Sequence, residues 1–112
     1  MRINIKKFLC ICQGGNVRSV GMAFALKYSG HQDALAASWQ TNTPETLKML
    51  YDWANYIVLM QGEFHKYIPS VYATKIRIVD VGPDKFGYAF HPDLQNFCQK
   101  VVKDWAEKEF NI

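Results

Sequence analysis

The sequence has no apolar run long enough to span a membrane. Its N-terminus lacks the hydrophobic core and small-residue cleavage site of a secretion signal. There are only three cysteines, unevenly spaced, which excludes a disulfide framework. These absences point to a reduced, cytoplasmic setting. No run of Lys or Arg forms a binding stripe, and the net charge of +3 is mild. Such a charge suits an anionic substrate but does not by itself argue for nucleic acid. His31, His65 and His91 lack metal-ligand spacing and a nucleophile partner, so neither a metal nor a cofactor is expected. Repeats, linkers and low-complexity segments are also missing. With 49% hydrophobic residues in 112, the chain can bury a complete core as one domain, 1–112.

What is present reads as alternating strands and helices. Residues 3–12 end in the continuous apolar run Phe8–Cys12, which suits a buried parallel strand. Residues 18–29 follow a helical pattern and stop near Gly30. Ala34–Trp39 is a second strand. Thr43 and Pro44 start a second helix, as a cap and a first-turn residue. Tyr56–Met60 is a third strand, Gly62–Ile68 a short helix, and Lys75–Val81 a fourth strand. His91-Pro92-Asp93 opens the last helix. This alternation predicts an α/β fold with a parallel sheet and helices on both faces. Ligands of such sheets bind beyond the carboxyl ends of the strands, where Cys12 lies.

The run Cys12-Gln13-Gly14-Gly15-Asn16-Val17-Arg18-Ser19 carries the chemistry. It joins a strand end to a helix start. Inward-pointing amides of such a loop make an anion-binding concavity, and the helix end adds unpaired N–H groups. That field favours thiolate over thiol at Cys12. Arg18 offers a planar fork to two phosphate oxygens. Gly14 and Gly15 permit the tight backbone that the loop needs. Ser19 can donate a hydrogen bond to the sulfur. Cys10 is expected to be a buried small hydrophobe on the strand face opposite Cys12.

The run matches Cys-x5-Arg-Ser, the signature of cysteine-dependent protein tyrosine phosphatases. Its place after the first strand resembles the low-molecular-weight branch, which usually reads Cys-x-Gly-Asn-x-Cys-Arg-Ser. Here Asn16 stands one position later, and Val20 replaces the usual proline. Asp52–Met60 and His91-Pro92-Asp93-Leu94 add to a likeness with short bacterial or phage-type members. The resemblance implies a three-layer sandwich with a four-stranded parallel sheet in the order 2-1-3-4. It also implies phosphate binding by Gln13, Gly14, Gly15, Asn16, Val17 and Arg18, with catalysis by Cys12, Arg18 and Ser19.

A general acid is needed for the leaving oxygen. In the resembled family it is an aspartate in a C-terminal loop, commonly followed by proline and an aromatic. Pro83-Asp84-Lys85-Phe86 is similar, which selects Asp84, with Asp80 as the alternative. Trp39, Phe86 and Tyr88 are candidates for an aromatic substrate wall. The expected reaction is hydrolysis of a phosphorylated protein, most naturally at phosphotyrosine. The alternatives are an arsenate reductase of the same fold and a weakly catalytic phosphate-binding module.

Overall fold

The computed structural model describes residues 5–13, 17–83 and 85–108. The central strand β1, Lys7–Cys12, is buried from Phe8 onward. It is apolar on both sides because both of its faces are covered. Strand β2, Asp33–Ser38, lies on one side of it and β3, Tyr56–Leu59, on the other. The short strand β4, Ile76–Ile78, pairs with β3 at the edge. All pairs are parallel, and the order is β2-β1-β3-β4, as expected. Cys12 pairs with Ser38, Ile11 with Leu59, and Leu59 with Ile78. The four carboxyl ends therefore share one edge, and the loops that leave them can meet.

Helix α1, Arg18–Tyr28, packs against α3, Pro92–Lys108, on one face of the sheet. The close approach depends on Gly21. A Cβ there would lie 2.8 Å from Leu94 Cδ2 and 2.9 Å from the Ala89 carbonyl oxygen. Gln95 Nε2 spans the same junction, donating to the carbonyls of Gly21 at 3.0 Å and Ala89 at 3.1 Å. Right-handed crossovers place α2, Pro44–Trp53, on the opposite face. Thr43 caps α2 by accepting from the Thr46 amide, and Pro44 occupies its first turn. Leu47 and Tyr51 are its buried residues.

Several expected boundaries shift. Among the described residues the first strand begins at Lys7, with Ile5 and Lys6 outside the ladder, and the expected start at residues 3 and 4 lies outside the described residues. The amides of Lys6 and Lys7 donate instead to the side chains of Gln32 and Asn55. The fourth strand is shorter than Lys75–Val81. A 3-10 segment, Ser70–Lys75, takes up its start, and the regular ladder ends at Ile78 opposite the last residue of β3, Leu59. Val79 and Val81 still donate to the carbonyls of Leu59 and Met60 beyond the regular ladder. The short helix after β3 is a 3-10 helix over Gly62–Tyr67.

Cys10 is fully buried, as expected, but not on the face opposite Cys12. Side chains alternate with a period of two, so residues 8, 10 and 12 share a face. Phe8 stacks on Trp105 of α3, with ring centroids 6.1 Å apart. Cys12 reaches Ser19 of α1. Both contacts lie in the α1–α3 layer. Among the described residues, no helix is long and apolar enough to cross a membrane.

Candidate active site

Cys12 is the last residue of β1 and Arg18 the first of α1. Gly14, Gly15 and Asn16, expected to bind phosphate, lie outside the described residues. The loop's flanks are anchored. The Gln13 carbonyl accepts from the Gln40 amide at 3.4 Å, and the Val17 carbonyl from the Gly21 amide at 2.8 Å. The N-cap of α1 is Val17, which supplies no side-chain cap, and the first turn holds no acidic residue. Its amide donors and positive dipole end thus face no built-in anion from the helix itself.

Cys12 is 2% exposed, and its Sγ lies 3.2 Å from Ser19 Oγ. As a thiol the sulfur donates to Ser19. Once ionised it can only accept, and the hydroxyl turns to donate. The other two thiols differ in kind. Burial pushes Cys98 up to about 12. Burial, then the neighbouring Cys98 and Cys12, raises Cys10 well above the ordinary thiol range. Both stay protonated at neutral pH and are poor nucleophiles.

Arg18 is 3% exposed, and its guanidinium is fixed at one end. Nη1 donates to Gln61 Oε1 at 2.6 Å and to the Gly82 carbonyl at 3.0 Å. The Phe64 ring lies under the guanidinium, 5.8 Å from its centroid to Cζ. Nε is buried and has no hydrogen-bond partner among the described residues. Nor does any described carboxylate lie within ion-pair distance of this side chain. A buried cation held only by neutral acceptors is costly unless an anion joins it. With Nη1 occupied twice, the edge formed by Nε and Nη2 is left to face one.

Gln61 and Gly82 were not singled out by sequence reasoning. Gln61 follows β3, and Gly82 follows β4, so the sheet edge gathers them around Arg18. Gly82 has φ of +79°, a backbone conformation that L side chains rarely adopt. Asp84 lies outside the described residues, although its neighbours Pro83 and Lys85 are described. Asp80 is exposed, and both its oxygens accept from backbone amides. Oδ1 is 2.9 Å from Gly82 N and Oδ2 is 3.3 Å from Gly62 N.

Trp39 sits just after β2, and its Nε1 donates to the Tyr51 hydroxyl at 3.1 Å. Phe64 and Tyr67 lie against it, with ring centroids 4.8 and 5.4 Å away. These three rings, with Gln13, Gln40 and Glu63, line a cleft of about 320 Å³ beside the Cys12 loop. Phe86 and Tyr88 are elsewhere. Each packs on His91, at 5.7 Å between centroids, and neither lines that cleft. Phe64 and Tyr67 were missed because the signal available, a short helix after a strand, does not say which rings turn toward the loop. His91 Nδ1 accepts from the Asp93 amide at 3.1 Å, and His65 Nδ1 pairs with the Gly62 carbonyl.

No protein-family model matches the sequence, and no curated protein matches it by sequence. Solved structures do match it by fold. Vibrio vulnificus Wzb in complex with benzylphosphonate superposes with a TM-score of 0.69 at 14% identity, covering 94% of this chain and 99% of that one. The tyrosine phosphatase Wzb from Escherichia coli K30, in complex with phosphate, gives 0.65 at 18%, covering 95% and 99%. The YwlE arginine phosphatase from Geobacillus stearothermophilus gives 0.61 at 13%, covering 95% and 96%. With its parallel sheet in the order 2-1-3-4 and helices on both faces, the chain has the fold of the low-molecular-weight phosphatases.

Proposed function

We propose that this chain is a cysteine-dependent phosphomonoester hydrolase that acts on phosphotyrosine in proteins. The observation that carries the reading is Arg18. It is buried, anchored through Nη1 by two neutral carbonyls, and its Nε has no hydrogen-bond partner among the described residues, while the next residue, Ser19, meets the Cys12 sulfur. Side-on pairing of Nε and Nη2 with two phosphoryl oxygens would meet its need for an anion. The fold likeness to phosphatases, including one bound to phosphate, agrees with this.

In the proposed reaction the Cys12 thiolate attacks phosphorus in line. The S–P bond forms as the bond to the tyrosyl oxygen breaks. Asp84 gives its proton to that oxygen. Arg18 and the amides of residues 13–18 hold the equatorial oxygens, and Asn16 braces the loop. Water then attacks phosphorus and loses a proton to Asp84. The P–S bond breaks, inorganic phosphate leaves, and the Ser19 hydroxyl donates to the departing thiolate. The cleft of Trp39, Phe64 and Tyr67 supplies flat surface for a phenyl ring.

A second reading has phosphoarginine as substrate. Glu63 in the same cleft gives a carboxylate for a guanidinium, and one structural neighbour is an arginine phosphatase. An arsenate reductase relay is disfavoured, because Cys10 and Cys98 are buried and held protonated. The buried Cys10 and Cys98 are thiols, which suits the proposed reducing, cytoplasmic setting.

The test is turnover of a chromogenic aryl phosphate by wild type and Cys12→Ser, followed by phosphotyrosyl and phosphoarginyl peptides. Wild type should be active and Cys12→Ser inactive. Equal rates for the two would end the enzyme reading and leave a phosphate-binding module. Preference for the phosphoarginyl peptide would replace the tyrosine assignment.

A further inference from the structure

We infer that Asp80 is the positioning residue that aims Arg18 at its anion, a role that rests on the phosphatase reading. Two separate loops hold Arg18 Nη1: the one after β3 through Gln61 Oε1 at 2.6 Å, and the one after β4 through the Gly82 carbonyl at 3.0 Å. Asp80 ties these loops together. Its Oδ2 accepts from the amide of Gly62, the residue after Gln61, at 3.3 Å. Its Oδ1 accepts from the amide of Gly82 itself at 2.9 Å.

The carboxylate thus sets the spacing between the two acceptors of one guanidinium nitrogen. With both acceptors in place, the Nη1 end is saturated, and Nε, buried and without a hydrogen-bond partner among the described residues, is left for an anion. Bidentate recognition depends on the orientation of a planar fork, so a small rotation of Arg18 weakens both bonds to a phosphoryl group. Asp80 serves as an acceptor at both of its oxygens, whereas a general acid needs one oxygen free to carry a proton to substrate. It acts through Arg18 and does not touch the reacting atoms.

The experiment uses a Cys12→Ser parent, which keeps Arg18, and inorganic phosphate as the probe. Phosphate affinity is measured by calorimetry and folding by the thermal midpoint. Aryl-phosphate kinetics are measured with Cys12 intact. Asp80→Ala should raise the phosphate Kd about tenfold and raise KM more than it lowers kcat. Asp80→Asn retains one acceptor and should fall between. Gly82→Ala is the second arm. Its Cβ would meet nothing within 4 Å, so only the backbone at φ +79° is disturbed. That variant should also weaken phosphate binding, through the displaced carbonyl.

Unchanged phosphate affinity in folded Asp80→Ala and Gly82→Ala would overturn the inference. So would a collapse of kcat in Asp80→Ala with phosphate binding intact, the mark of a proton donor. A parent that neither binds phosphate nor, with Cys12 restored, turns over substrate would sink the phosphatase reading and this role with it.

Discussion

Replacing Gln61 by leucine removes one acceptor from a buried guanidinium while keeping a side chain of similar bulk. The lost bond is 2.6 Å long and is made by a charged donor. Such bonds are worth about 1.5–3 kcal/mol. Gln61 is itself only half-buried, so water can replace part of the interaction, and the lower end applies. About 1.5 kcal/mol corresponds to roughly a tenfold loss in kcat/KM for an aryl phosphate. The Gly82 carbonyl still holds the other Nη1 proton at 3.0 Å, which limits the effect. Inhibition by inorganic phosphate should weaken in parallel, because the same fork binds both. The assay is steady-state turnover with phosphate as competitor, and a urea midpoint shows that the variant is folded. If kcat/KM and phosphate inhibition both stay at wild-type values, Arg18 is not oriented by its neutral acceptors and the account of the site fails.

Asp84→Ala should lower aryl-phosphate turnover by about 10²–10⁴-fold and flatten the alkaline limb of the kcat/KM–pH profile, where the acid loses its proton; an unchanged rate rejects only this acid. Gly21→Ala should destabilise the fold by about 1–3 kcal/mol in urea titration, since its Cβ would meet Leu94 and the Ala89 carbonyl below 3.0 Å. An alkylating agent at neutral pH should modify Cys12 and spare Cys10 and Cys98 until the chain unfolds, as mass spectrometry of the native protein can show. Stability should fall at alkaline pH. The folded Cys98 thiol is raised from its ordinary 9.0 to about 12, so its contribution is whole below 9.0 and is lost as pH rises through about 12. Denaturation midpoints across that range check this, and Cys98→Ala should flatten the decline.

The parallel sheet was legible because β1 is a continuous apolar run and because strand and helix signals alternate. Thr43 and Pro44 marked the start of α2 through local chemistry alone. The edges were less legible. The strand expected over Lys75–Val81 shrinks to Ile76–Ile78, because pairing with β3 and the preceding 3-10 turn decide its length, not its own β propensity.

The site divides in the same way. Spacing within one loop put Cys12, Arg18 and Ser19 together, and the Cys12–Ser19 contact is local to the β1–α1 junction. Gln61, Gly82 and Asp80 are distant in sequence from Arg18 and carry no motif. Phe64 and Tyr67 look like ordinary residues of a short helix. By itself the sequence determined the α/β class, the strand–loop–helix that carries the thiol, and the cation six positions after it. Only the tertiary structure decided what holds that cation and which rings stand beside it. Those partners come from the ends of other strands, and strand order and register bring them to one edge.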